Sequence, residues 1–261
     1  ADNHFFIESM ERGAKIAVIA PEYSPPATKA DYWIPIRPNS DAALLLGITK
    51  LLMDEKKYDE AFVKRFTDFP LLVREDTLKR LQAKDIVKDY VSPDISAGAS
   101  MTQHGLKREQ YEKVGDYVIW DTKSQGPKVV TRDDVGAFFD KLGIDPALEG
   151  TFKVKTVDGK EVEVRPLFDL YKNVHLKDYD LDSVHEMTRA PKELVRRLTD
   201  DIATTKPVAL HLGEGINHWF HATEVNRASY LPLILTGNIG LPGSGSHTWA
   251  GNYKAALFQG S

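Results

Sequence analysis

Residues 15–52, KIAVIAPEYSPPATKADYWIPIRPNSDAALLLGITKLL, decide the reading of the fold. KIAVIAP (15–21) is a short apolar run between Gly13 and Pro21, the pattern of a strand buried on both faces. Pro25 and Pro26 enforce a turn. DYWIPI (31–36), rich in β-branched and aromatic residues, predicts a second strand. Asn39 or Ser40 can cap the helix that follows, and Asp41 suits its positive N-terminus. Leu44, Leu45, Ile48, Leu51 and Leu52 form its buried stripe. This is the opening of an α/β layer.

The same pattern returns near the other end. A helix starting at Pro191 carries the stripe Leu194, Val195, Leu198 and Ile202. PVALHL (207–212) predicts a third strand, GEGINH a glycine-rich turn, and HWFHATEVNRASYL a helix running into the glycine-dense LTGNIGLPGSGSHTW. Between these parts the chain changes character. DEAFVKRF predicts a helix from Asp59, and YVIWDTKSQGPKVV a strand–loop–strand. FKVKTVDGKEVEVRP predicts a hairpin with Asp158-Gly159 as a type I′ turn pair. The expected organisation is a first part of the α/β layer at 1–89, an irregular, partly β excursion at 90–180, and a second part of the layer at 181–261.

Composition narrows the function. Lysine and arginine number 34 against 38 acidic residues, for a net charge of −4, which speaks against a nucleic-acid binder. There is no cysteine, so neither a cysteine nucleophile nor an iron–sulfur ligand comes from these residues. No apolar run is long enough to span a membrane. ADNHFFIESMERG and AGNYKAALFQGS read as mid-domain chain, so a fragment of a larger multidomain enzyme is expected and missing targeting signals carry no information.

Three loops follow predicted strands: Pro21-Glu22-Tyr23-Ser24, Arg37-Pro38-Asn39-Ser40-Asp41 and Gly213-Glu214-Gly215-Ile216-Asn217-His218. Ligands of open α/β sheets bind beyond the carboxyl ends of strands. Glycines there admit a diphosphate close to the backbone. Glu22 can accept from ribose hydroxyls, and Asp41 from a guanine N1–H and amino group. The bland alternative for Gly213 and Gly215 is tight strand–helix packing. His218 and His221, three apart on the predicted helix, lack a third metal ligand, so packed histidines are expected. Trp219 and Phe220 are read as core. His4, His104, His175, His185 and His211 fall into no pattern.

Several segments, in order, resemble the molybdopterin oxidoreductases of the dimethyl sulfoxide reductase family. They are ADYWIPIRPNSDAALLLGITKLLMDEKKYDEAFVKRFTDFPLLVRED (30–76), KEVEVRPLFDLYK (160–172), APKELVRRLTDDIA (190–203), and GEGINHWFHATEVNRASYLPLILTGNIGLPGSG (213–245). NHWFH (217–221) and TDFPLLV (67–73) resemble the subfamily of respiratory nitrate reductase and nitrite oxidoreductase catalytic subunits, which also holds selenate, chlorate and perchlorate reductases and ethylbenzene and dimethyl sulfide dehydrogenases. Within it the sequence looks most like a nitrite oxidoreductase alpha subunit.

The resemblance implies a Rossmann-like layer binding molybdenum bis(molybdopterin guanine dinucleotide). Glu22, Tyr23, Arg37, Asn39, Ser40, Asp41, Gly213, Glu214, Gly215, Asn217, Asn238 and Gly240 are the cofactor-binding candidates. It implies a [4Fe–4S] cluster whose ligands, like the metal's aspartate, fall outside these residues; no metal ligand is assigned, Asp2 included. The activity implied is oxygen-atom transfer on a small oxyanion, nitrite to nitrate or the reverse. His218 is the catalytic candidate, a donor orienting that anion. The implied partners are an iron–sulfur beta subunit and a haem or membrane-anchor subunit, in a membrane-associated complex on the periplasmic side. Two other classes stay open: a thiamine-diphosphate or nicotinamide Rossmann enzyme, which needs a third glycine where His218 stands, and a non-catalytic subunit that keeps the fold.

Overall fold

The computed structural model describes residues 3–92 and 116–248. The elements in chain order are α1 (Asn3–Glu11), β1 (Ala17–Ala20), β2 (Tyr32–Pro35), α2 (Asp41–Asp54), α3 (Glu60–Phe66), β3 (Leu72–Arg74), α4 (Ala83–Ile86), β4 (Tyr117–Asp121), β5 (Gly126–Val130), α5 (Ala137–Lys141), β6 (Phe152–Lys155), β7 (Glu161–Pro166), α6 (Leu167–Leu170), α7 (Leu181–Thr188), α8 (Lys192–Thr204), β8 (Ala209–Leu212), α9 (Ala222–Leu235) and β9 (Gly245–Thr248). The architecture is mixed α/β. The chain divides into two compact units, 1–58 with 176–261, and 59–175. The boundaries read from the sequence were 89/90 and 180/181.

In the first unit β1 and β2 pair in parallel, Ala17 beside Tyr32 through Ala20 beside Pro35. β8 and β9 form a second parallel pair, Ala209 beside Gly245 through Leu212 beside Thr248. The one layer expected from the sequence is therefore two separate two-stranded sheets. What they share is a helical core. α2 packs on α7, α8 and α9, and all five residues of its expected stripe are buried. Gly47 sits mid-helix because an added Cβ would overlap Val184 Cγ2 of α7. Asp201 of α8 accepts from Lys15 Nζ at 2.8 Å and from Tyr32 Oη at 2.9 Å, fastening that helix beside the β1–β2 pair. β1 is half-exposed rather than buried on both faces, since it has a single strand neighbour among the described residues.

The second unit is partly β, as expected of the excursion, and has its own cores. β3, β7 and β6 form an antiparallel sheet, and β4 and β5 a hairpin. Leu72, Leu81, Val118, Val154, Val162 and Val164 close one core, and Leu71, Ile119 and Val130 another. Trp120 stacks on Phe152 with ring centroids 4.4 Å apart. The β6–β7 hairpin forms where expected, but its turn differs. Gly159 N–H donates to Thr156 O at 2.9 Å, Thr156 N–H donates to Lys160 O at 2.8 Å, and of the turn pair only Gly159 has positive φ, +84°. A type I′ turn needs positive φ at both central residues; this is a type I turn followed by a glycine bulge.

Candidate functional site

The loop after β1 is shaped by Trp33 of β2. Its indole Nε1 donates to the Ala20 carbonyl at 2.9 Å, and its ring meets Tyr23 edge-on at 5.3 Å. Tyr23 and Glu22 are exposed beyond it. β1 and β2 run parallel, so the loop after β2 leaves the same end of the same sheet.

That second loop is a tight turn. Ser40 Oγ donates to Arg37 O at 2.6 Å, and Arg37 N–H to Thr188 O at 2.8 Å. Asn39 takes φ 64°, a left-handed conformation asparagine tolerates. Ser40 is the N-cap residue of α2, but its side chain points back into the turn and caps nothing. Asn39 and Ser40 thus build the loop, and Arg37 is exposed at its start. Asp41 opens α2, half-buried. Burial pushes its carboxyl above the usual aspartate range, outweighing its own backbone N–H. No cationic side chain among the described residues pairs with it.

The third loop answers the packing question. Gly213 has an ordinary φ of −80°, and Gly215 lies in a 3₁₀ turn, Glu214–Asn217, outside the positive-φ region. Among the described residues, a Cβ added at either would meet nothing within 4 Å. Neither backbone strain nor close strand–helix packing accounts for these glycines. Their faces are open, as a cradle for an approaching ligand must be. The helix expected from His218 starts only at Ala222. His218 and His221 therefore lie in a turn rather than on one helix face, and His221 has φ 61°. Among the described residues no group of three histidines and carboxylates is placed to hold a metal. Trp219 is 44% and Phe220 85% exposed, so the expectation that they are core is corrected: with α9 starting later, both stand outside it.

Asn238 is committed elsewhere. It is fully buried; its Oδ1 accepts Val208 N–H at 2.8 Å and its Nδ2 donates to Thr236 Oγ1 at 2.9 Å. LTGN (235–238) is the C-cap of α9. Gly237, at φ 68°, donates to Ile234 O at 3.2 Å, and Asn238 N–H donates to Leu233 O at 2.8 Å, which is the Schellman pattern. Gly240, at φ 79°, is exposed with open space about it. Sequence reasoning missed Asn226, whose Nδ2 donates to Asn217 Oδ1 at 2.7 Å; nothing in local spacing marks a bond across nine residues and a turn. Glu214 opens the 3₁₀ turn, between the two open glycines in sequence.

Two of the three loops follow strands of the β1–β2 pair and the third follows β8 of the separate β8–β9 pair. Residues 2–257 match the family model "Molybdopterin oxidoreductase". The perchlorate reductase subunit alpha of Dechloromonas aromatica is 33% identical, over 99% of this chain and 28% of that protein. The respiratory nitrate reductase subunit alpha of Haloferax mediterranei is 32% identical, over 99% and 25%. The chlorate reductase subunit alpha of Ideonella dechloratans is 29% identical, over 96% and 24%. The chain thus spans about a quarter of the length of these curated relatives. With the family model covering nearly the whole chain, the protein belongs to the molybdopterin oxidoreductase family.

Proposed function

We propose that this chain is part of the catalytic subunit of a molybdenum oxidoreductase acting on a small oxyanion, with nitrite oxidation to nitrate, or its reverse, as the reaction. The observation that carries the reading is the family match over residues 2–257 with oxyanion reductases among the relatives; the open space at Gly213 and Gly215 among the described residues supports it as a place where a ligand can approach the backbone. The cofactor is the molybdopterin guanine dinucleotide form, with a [4Fe–4S] cluster elsewhere in the protein. Asp41 accepts from the guanine edge, Glu22 from ribose hydroxyls, and the backbone of Gly213–Gly215 with the Asn217 amide lies along the diphosphate. When bound, the molybdenum centre supplies two-electron oxygen-atom transfer. The chain's own residues bind and orient the nucleotide ends and present polar groups to the substrate.

His218 is exposed beside this turn, where an imidazole N–H can hold an oxyanion. The relatives support an oxyanion, because perchlorate, nitrate and chlorate reductases stand among them. Exposed Trp219 and Phe220 keep a second reading in play, a dehydrogenase of an apolar substrate, which the dimethylsulfide dehydrogenase relative at 27% identity also favours. The relatives' names as alpha subunits support partner subunits; we propose that these are an iron–sulfur beta subunit and a haem or membrane-anchor subunit, in a membrane-associated complex facing the periplasm. Among the described residues no helix is long and apolar enough to cross a membrane. Steady-state kinetics of the purified complex test the proposal. Turnover of nitrite or nitrate, with a raised KM or lowered kcat in His218→Ala, is the expected result. Rapid turnover of ethylbenzene with none of either anion overturns the substrate.

A further inference from the structure

The turn between β8 and α9 is braced by one side chain from the helix. Asn226 is half-buried, and its Nδ2 donates to Asn217 Oδ1 and to the Ala222 carbonyl, each at 2.7 Å. An amide nitrogen carries two hydrogens, so both are used. The Ala222 bond stays within one helical turn. The Asn217 bond is different, because it crosses the His221 corner and ties the 3₁₀ turn to the helix body. A left-handed residue with a β-carbon persists only where its surroundings hold it.

The brace has a chemical consequence. With Oδ1 of Asn217 occupied by a donor, the part of that exposed side chain left to present is its own NH₂ group, which only donates. Asn217 closes the same 3₁₀ turn, Glu214–Asn217, that Gly213 precedes and Gly215 belongs to, and the Cβ positions of both glycines are open among the described residues. Donors next to space that admits close approach suit an acceptor-rich ligand such as a diphosphate. We infer that Asn226 is a positioning residue that fixes the polarity of Asn217, making it a hydrogen-bond donor toward the phosphates of the bound dinucleotide. This rests on the cofactor reading of the loop given above.

The test measures molybdenum and GMP retained per chain after gel filtration of the purified holoenzyme, with thermal midpoints alongside. Asn217→Ala should lower retention about tenfold, the loss of a charge-assisted donor. Asn226→Ala frees Asn217 to rotate and should cost less, about threefold. Asn226→Asp keeps the shape but turns donor into acceptor, so Asn217 flips and aims its oxygen at the phosphates; retention should fall at least as far as in Asn217→Ala. Asp also sets an oxygen against the Ala222 carbonyl, so the thermal midpoint separates the cases: retention that falls only in step with the midpoint in both Asn226 variants, or Asn226→Asp milder than Asn226→Ala, overturns the inference. Asn217→Asp guards against misfolding: it keeps the acceptor for Asn226, so the thermal midpoint should hold while retention falls. Loss in the Asn217 variants with full retention in both Asn226 variants overturns this inference alone. Full retention in Asn217→Ala and Asn217→Asp overturns the cofactor reading of the loop as well.

Discussion

The amide oxygen of Asn238 accepts the backbone N–H of Val208 across 2.8 Å and thirty residues of chain, so the cap of α9 holds the entrance to β8. Removing that acceptor leaves a half-buried donor without its partner and a hole in a fully buried site. Asn238→Ala should destabilise the protein by about 2–3 kcal/mol. Asn238→Asp keeps an acceptor but buries a charge and loses the donor to Thr236 Oγ1, so it should cost at least as much at neutral pH and less as the pH falls. Urea unfolding of the two variants checks the order.

Gly215 separates the demands of fold and ligand. Its φ is not in the left-handed region and its Cβ position is empty, so Gly215→Ala should change stability by less than about 1 kcal/mol. Gly215→Val should leave the fold standing but block approach of the diphosphate, and cofactor content should collapse. Thermal melts and molybdenum analysis of both variants test this; a large loss of stability in Gly215→Ala would contradict the open cradle.

Asp41 is a carboxylate kept against its burial. Its folded pKa is raised, so the folded state binds the proton more tightly than the unfolded chain does. That contribution to stability is full below the unfolded value, about 3.9, and is lost as pH rises through the folded one. Asp41→Asn should therefore raise the melting temperature of the cofactor-free protein at pH 7, with the gain vanishing toward pH 4. In the loaded protein the same change should weaken guanine recognition by about 1–3 kcal/mol, seen as lost GMP.

Asp121 works in the opposite sense, in the second unit. Burial alone pushes its carboxyl up. The N–H groups of Asp145, Ser124 and Lys123 and the Ser124 hydroxyl, at 2.6–3.3 Å, outweigh it and hold the carboxyl well below the usual range. A depressed folded pKa gives stability that is complete above the unfolded value and fades as pH falls through the folded one. Asp121→Ala should cost about 2–3 kcal/mol at pH 7. The gap to the parent should narrow below about pH 3.9, as urea titrations at pH 7 and pH 3 can show.

How far the sequence was legible depends on the range of the forces involved. The stripe of α2, the helix expected from Asp59 and the β6–β7 hairpin are local patterns, and all appear where expected, with Asp59 itself as the N-cap accepting from Phe62 N–H at 3.0 Å. The separation of β1–β2 from β8–β9 was not readable, because strand neighbours far apart in sequence are chosen by helix packing. Trp219 and Phe220 misled because aromatic character implies burial only where a partner surface exists. Asn238 looked like a ligand residue because its partner, Val208, comes close only in the folded chain. His104 lies outside the described residues.

The most direct test of the account is the metal and nucleotide content of the purified protein. Acid hydrolysis followed by chromatography, with elemental analysis of the same sample, should find molybdenum together with GMP in about twofold excess over it, as a bis(guanine dinucleotide) centre requires. Both should be lost from Gly215→Val. A well-folded protein purified from molybdate-replete cells with neither molybdenum nor GMP would contradict the account.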